Sequence, residues 1–283
     1  MLKKAYLEIT NVCNLSCSFC HGTSRKQHLL SVKEFDILTD KLRGNVEFLY
    51  FHLMGEPLLH PNLGEFFRIA GEKGFRVILT TNGTLLGKRI EDLLSAKALY
   101  KVSISLHSYE ANTIGRTIDS YLEDCFDFCK AASSKGILSV LRLWNQGGED
   151  RLNRQILSKM ETYFPTPWKD TYSGSRLGDR IFLEWGDRFD WPDPNAPEYD
   201  GSYGCYGLRD QIGIHCDGTV VPCCLDADGG IPLGNLFTQD LQEILQGSRA
   251  VALKTSLQNR KPCEELCRHC GYAALKGDSN KIL

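Results

Sequence analysis

Short β-rich runs alternate with amphipathic helical stretches over the first two thirds of this chain, and that alternation restricts it to a small set of folds. Strand-like runs lie at Ala5–Thr10, Glu47–His52, Arg76–Leu79, Lys101–Ser105, Leu138–Leu143 and Arg180–Glu184. Helical patterns fill the gaps near Ser31–Arg43, Pro61–Lys73, Leu86–Ala96, Ser120–Ser134 and Arg151–Thr162. Ser31, with Glu34 three residues on, forms a capping box. Pro61 opens a helix that Gly74 closes. Strand–helix alternation of this kind produces right-handed βαβ units and a parallel sheet. Six such units are too few to close an eight-stranded barrel. The expected class is α/β, and in such sheets ligands bind at the carboxyl ends of the strands.

A cysteine loop follows the first strand at that end: Cys13-Asn14-Leu15-Ser16-Cys17-Ser18-Phe19-Cys20. Three thiolates on one short loop hold three irons of a [4Fe–4S] cube and leave the fourth iron open. The alternative from spacing is a structural zinc site. Zinc takes four Cys or His ligands, and His21 would have to be the fourth, although adjacent side chains rarely point at one metal.

A second set of cysteines lies in the tail. Gln211–Cys224 reads as a β-hairpin in which Asp217-Gly218 is a type I′ turn signal, and a helix follows at Leu241–Leu253. The hairpin brings Cys205 and Cys223 together, and Cys267-x2-Cys270 returns to close a four-thiol site. Zinc is again the alternative metal. Cys263 competes for a ligand position, while Cys216 and Cys224 sit close to ligand positions as free thiols. Cys125 and Cys129, four apart on one helix face beside Leu122 and Phe126, are expected in the core.

The 283 residues suffice for one large core and a small appendage. With 33 basic and 35 acidic residues there is no electrostatic footprint for nucleic acid. No run of apolar residues is long enough to span a membrane, and Met1-Leu2-Lys3-Lys4 leads into a strand without a signal-peptide core. A cytoplasmic, reducing location is expected, in which twelve cysteines serve as metal ligands or free thiols. Glu184 to Gly204, rich in proline, acid and aromatic residues, reads as a linker in which Trp185 and Trp191 cover a joint or line a substrate groove.

Taken together, the cysteine loop and the tail resemble the radical S-adenosylmethionine (SAM) enzymes. Gly218-Thr219-Val220-Val221-Pro222-Cys223-Cys224 and Leu233-Gly234-Asn235-Leu236 resemble their Twitch, or short SPASM, extension. The resemblance implies an open (β/α)6 partial barrel over 1–184, a linker over 185–204, and an auxiliary [4Fe–4S] domain over 205–283. It implies two [4Fe–4S] clusters and SAM as cofactors. Cys13, Cys17 and Cys20 would hold the catalytic cluster, and Cys205, Cys223, Cys267 and Cys270 the auxiliary one. Phe19 would lie against adenine. Met54-Gly55-Glu56-Pro57 resembles the family's glycine-glycine-glutamate motif, so Gly55 and Glu56 would serve the SAM ammonium. Asn82 and Ser105, at the ends of strands three and four, are further SAM contacts. Arg142, between apolar neighbours on a strand, needs an anion: the SAM carboxylate, or Glu8 or Glu184 as a structural ion pair.

The implied reaction begins with reductive cleavage of SAM to a 5′-deoxyadenosyl radical, which takes a hydrogen atom from a substrate carbon. An auxiliary cluster then accepts the electron of the substrate radical, giving oxidation of a sugar or aminocyclitol or modification of a peptide. The expected partners are that small-molecule or peptide substrate and a one-electron reductant such as flavodoxin or ferredoxin. The alternatives are a radical SAM epimerase, with Cys216 or Cys224 returning a hydrogen atom, and a non-catalytic iron–sulfur or zinc module.

Overall fold

A computed structural model of the chain describes residues 2–199 and 204–279. Residues 200–203 of the expected linker and 280–283 of the expected auxiliary domain lie outside the described residues. In chain order the elements are β1 (Lys4–Leu7), α1 (Val32–Leu42), β2 (Phe48–Tyr50), α2 (Leu63–Glu72), β3 (Arg76–Thr81), α3 (Leu86–Ser95) and β4 (Leu99–Ser105). There follow α4 (Ile118–Ser134), β5 (Leu138–Gln146), α5 (Asn153–Tyr163), β6 (Lys169–Thr171), β7 (Gly174–Gly178) and β8 (Ile181–Asp187). The tail carries β9 (Gln211–Ile214), β10 (Thr219–Val221), β11 (Gly234–Asn235), α6 (Leu241–Gln246), α7 (Ser248–Gln258), α8 (Glu265–Arg268) and α9 (Gly271–Ser279). The residues divide into two compact units, one of 1–11, 21–55 and 189–283, the other of 12–20 and 56–188.

In the first unit β1 pairs in parallel with β2 on one side and with β9 on the other, Lys4 standing opposite both Phe48 and Gln211. The tail strand thus joins the strand that opens the chain. β10 and β11 extend this edge antiparallel. All four residues of β9 are buried, which suits a strand covered on both faces. The capping box forms as expected: Glu34 N–H donates to Ser31 Oγ at 3.2 Å, and Ser31 N–H donates to Glu34 Oε2 at 2.7 Å.

Two tail elements differ from expectation. The β9–β10 loop is not a two-residue type I′ turn. His215 N–H bonds Thr219 O and Gly218 N–H bonds His215 O, with Gly218 at φ +82°. That is a longer loop ending in a glycine bulge, and it needs glycine at one left-handed position only. The single helix expected at Leu241–Leu253 is two helices. Gly247, at φ −59° and ψ 147°, leaves the helical region and both ends α6 and precedes α7.

In the second unit β3, β4, β5 and β8 run parallel, and the antiparallel strands β7 and β6 flank β8. The β6–β7 hairpin has no counterpart in the sequence reading, and β8 continues to Asp187, three residues beyond the expected strand. α4 carries the largest apolar load: Tyr121, Leu122, Cys125, Phe126, Phe128 and Cys129 are all fully buried. Each large side chain so buried contributes roughly 1.5–3 kcal/mol. The core placement expected of Cys125 and Cys129 holds. Among the described residues no helix is long and apolar enough to cross a membrane.

Candidate active site

Residues 12–20 form the cysteine loop. Cys13 and Cys20 are exposed and Cys17 is half-buried. The loop turns on itself through Cys20 N–H to Cys17 O at 3.0 Å, and Leu15 N–H points at Cys13 Sγ at 3.4 Å. The three sulfurs lie within electrostatic reach of one another. Partial burial, reinforced by the neighbouring thiolates, raises Cys13 and pushes Cys17 up to about 11.

Two asparagines hold this loop, Asn82 from just beyond β3 and Asn112 from the segment between β4 and α4. Asn112 Oδ1 accepts Ser16 N–H at 2.9 Å, while its Nδ2 donates to Cys17 Sγ at 3.1 Å and to Ser108 O at 2.8 Å. Asn82 Nδ2 donates to Asn14 Oδ1 at 3.0 Å and stands 4.0 Å from Cys13 Sγ. Asn14 in turn donates to Thr84 Oγ1 at 2.9 Å. Asn112 and Asn14 were not among the expected site residues. Nothing in the sequence marks Asn112, which lies in an irregular loop far along the chain from Cys17.

Glu56 is buried, and its carboxylate faces the end of β3. Oε1 accepts from Thr81 Oγ1 at 2.8 Å and from Leu58 N–H at 3.0 Å, and Oε2 accepts from Asn82 N–H at 2.7 Å. Burial pushes its pKa up to about 7 against those three hydrogen bonds. Glu56 therefore sets the position of Asn82. Gly55, before it, takes φ +78°, a conformation that favours glycine.

Ser105 ends β4 opposite Arg142 on β5. Arg142 Nε lies 3.4 Å from Glu184 Oε2, and its guanidinium stacks 4.4 Å from the Trp144 ring. Of the three anions expected for Arg142, the structure supplies Glu184. Glu8 is engaged elsewhere, in the first unit, by Arg25 at 2.9 and 2.7 Å. Phe19 packs on His107 with ring centroids 4.8 Å apart. Burial lowers the His107 pKa to about 4, so the ring is neutral at physiological pH.

Ser18, Phe19, His107, Trp144, Asn145 and Arg188 line a cavity in the second unit. A Cβ at Gly186 would come within 2.8 Å of the Trp144 ring, so this glycine permits the close approach. The Trp144 indole N–H is buried without a hydrogen-bond partner among the described residues. An orphaned donor of this kind costs about 1–3 kcal/mol until an acceptor arrives. Three thiols on one loop, an aromatic wall and a waiting donor fit an iron–sulfur cluster carrying a polar ligand. Among the described residues no three His, Cys, Asp or Glu side chains converge as the ligands of a single ion would.

In the first unit Cys223 senses the charges of Cys205, Cys267, Cys270 and also Cys224. The four expected thiols therefore share one neighbourhood with Cys224. Burial raises Cys205; burial and repulsion from neighbouring thiolates raise Cys223 and Cys267 and push Cys270 up to about 11. Cys205 Sγ accepts Gly207 N–H at 3.2 Å. Cys263 is exposed, its N–H donating to Ser256 Oγ at 3.1 Å. The spare thiols are held in place. Cys216 is buried, with its Sγ 3.1 Å from Glu8 Oε1, and Cys224 bonds the Tyr6 hydroxyl.

Comparison with known proteins agrees with this chemistry. Residues 7–155, over half of the chain, match the Radical SAM superfamily, and residues 205–271 match SPASM, an iron–sulfur cluster-binding domain. The antilisterial bacteriocin subtilosin biosynthesis protein AlbA of Bacillus subtilis is 35% identical over 98% of this chain and 68% of its own length. An AdoMet-dependent heme synthase of Methanosarcina barkeri is 33% identical over 38% of this chain, which spans only 31% of that synthase. Other curated relatives are likewise spanned by less than half, 46% in the next case. The crystal structure of BtrN in complex with AdoMet and 2-DOIA superposes with a TM-score of 0.62 at 18% identity, covering 95% of this chain and 93% of that one. The fold is thus the α/β partial barrel with a cysteine-rich C-terminal domain, and the cofactors are SAM, its [4Fe–4S] cluster and an auxiliary iron–sulfur cluster. The chain belongs to the radical SAM superfamily and carries a SPASM-type tail.

Proposed function

We propose that this enzyme oxidises a peptide substrate at an unactivated carbon. The single observation that carries the reading is the second set of cysteines, Cys205, Cys223, Cys267 and Cys270, in a tail that matches an iron–sulfur cluster-binding domain. Cys13, Cys17 and Cys20 would hold the cluster that binds SAM, and the pair supplies a 5′-deoxyadenosyl radical when bound. Phe19 and His107 shield one side of that loop from water, and Asn112 and Asn82 fix its course. Glu56 keeps Asn82 in register with the loop. With both cofactors bound, the site would supply an acceptor for one hydrogen atom and, in the tail, an acceptor for one electron, and with one proton passing to solvent the substrate would undergo a net two-electron oxidation. Similarity to AlbA over nearly the whole chain favours a peptide over a sugar or aminocyclitol as substrate.

The epimerase reading needs a thiol free to release hydrogen. Cys216 is held by Glu8 and Cys224 by Tyr6, which favours oxidation. The test is anaerobic reconstitution with SAM and dithionite, with 5′-deoxyadenosine measured. Replacement of Cys13, Cys17 and Cys20 by Ala should abolish the nucleoside; if it persists, the assignment of the radical loop is wrong. Solvent deuterium appearing at the product carbon, with no change in oxidation level, would establish epimerisation instead.

A further inference from the structure

Several hydrogen bonds shape the cysteine loop, but one contact goes further. The Asn112 carboxamide N–H donates to Cys17 Sγ at 3.1 Å, whereas the comparable Asn82 amide stays 4.0 Å from Cys13 Sγ. Asn112 is half-buried and its amide is oriented by two further bonds, from Ser16 N–H at 2.9 Å and to Ser108 O at 2.8 Å.

We propose that Asn112 is a positioning residue that raises the reduction potential of the SAM-binding cluster through its N–H···S bond to Cys17. The proposal rests on Cys17 being a ligand of that cluster. A reduced cluster carries one more negative charge than an oxidised one, and part of that charge resides on its thiolate sulfurs. A donor aimed at a sulfur therefore stabilises the reduced state more than the oxidised one. Such outer hydrogen bonds are among the protein's means of tuning a metal site. The bond would ease the one-electron reduction on which SAM cleavage depends.

The two functions of the carboxamide can be separated. Asn112→Asp keeps the oxygen that accepts Ser16 N–H but replaces the donor on Cys17 by a second oxygen. Asn112→Leu removes both. The reconstituted holoenzyme is titrated electrochemically while the paramagnetic signal that shifts on SAM addition is followed. This selects the N-terminal cluster and reads only clusters that have assembled. Asn112→Leu should make reduction about tenfold less favourable, a fall of ~59 mV for a one-electron couple, and Asn112→Asp should lower it at least as far. Asn112→Gln, which retains donor and acceptor, should recover most of the loss. A wild-type potential in Asn112→Asp would overturn the proposal, because that variant keeps the acceptor for Ser16 N–H and lacks the donor to sulfur. If Asn112→Asp assembles no cluster, the same titration on Asn112→Leu decides, and an unmoved potential there overturns the proposal too. If instead the SAM-responsive signal survives replacement of Cys17 by Ala, the ligand assignment has failed and not the tuning.

Discussion

The cysteines of the N-terminal loop are more open to solvent than Cys205, Cys223, Cys267 and Cys270 of the tail. Cys13 and Cys20 are exposed and Cys17 accepts an amide N–H; Cys270 is buried and Cys223 feels the charges of other cysteines. The contrast follows from what each site has to admit. A cluster that accepts an external ligand needs an accessible face and polar neighbours that define it. A cluster that stores an electron is served by four protein ligands and by burial, which keeps water away. Cys13 and Cys17 in the loop and Cys205, Cys223, Cys267 and Cys270 in the tail are raised, so metal binding has to displace protons at each site.

The largest expected effect tests the open site. Replacing Cys13, Cys17 and Cys20 together by Ala should reduce 5′-deoxyadenosine formation to the level of the enzyme-free control while iron bound by the tail remains. Next, Cys267→Ala or Cys270→Ala should leave 5′-deoxyadenosine formation intact and abolish the oxidised product. Either replacement should also lower the melting temperature by several degrees, since structural metal binding contributes directly to folding. Equal loss of both products in the two experiments would erase the distinction between the sites.

Glu56 offers a smaller, pH-dependent test. Its folded pKa of about 7 lies above its unfolded value of 4.5, so between those values the folded state binds more protons than the unfolded one. The stabilisation is complete below pH 4.5 and is lost as pH rises through 7, a change of roughly 3 kcal/mol at 1.36 kcal/mol per pH unit. His107, lowered from 6.5 to about 4, slopes in the opposite sense, so the measurement is the difference between wild type and Glu56→Gln. That variant should lose this pH dependence and should also be less stable by about 1–3 kcal/mol, because one of three donors loses its acceptor. A parallel pair of stability–pH curves would remove the role given to this carboxylate. The smallest effect is expected at Cys216→Ala: about 1 kcal/mol from the lost contact with Glu8, with full product formation. Loss of product there would revive the epimerase reading.

Much of this arrangement was legible in the residues. Apolar β-rich runs and well-capped helices marked the parallel strands, since burial on both faces leaves a local signature. The β6–β7 hairpin left none, because Lys169, Asp170 and Thr171 are all exposed and lack an inward face. The pairing of Gln211–Ile214 with Lys4–Leu7 is a contact between distant segments, which no local pattern encodes. At the site the cysteines declared themselves by spacing. The orientation of Glu56 did not, because a short Gly-Glu-Pro run does not show that Thr81, Leu58 and Asn82 all donate to that carboxylate. Asn112 was invisible for a related reason, its partners being fixed only by the fold.

The strand Gln211–Ile214 zipped onto Lys4–Leu7 has a consequence for how such proteins can be rearranged. Removing the tail would strip one side of the opening strand of its ladder and present bare amides to other chains, an invitation to aggregation. The C-terminal module is thus poorly suited to excision or to exchange as a cassette. A graft from a relative would succeed only where its first strand meets Lys4 in the same register.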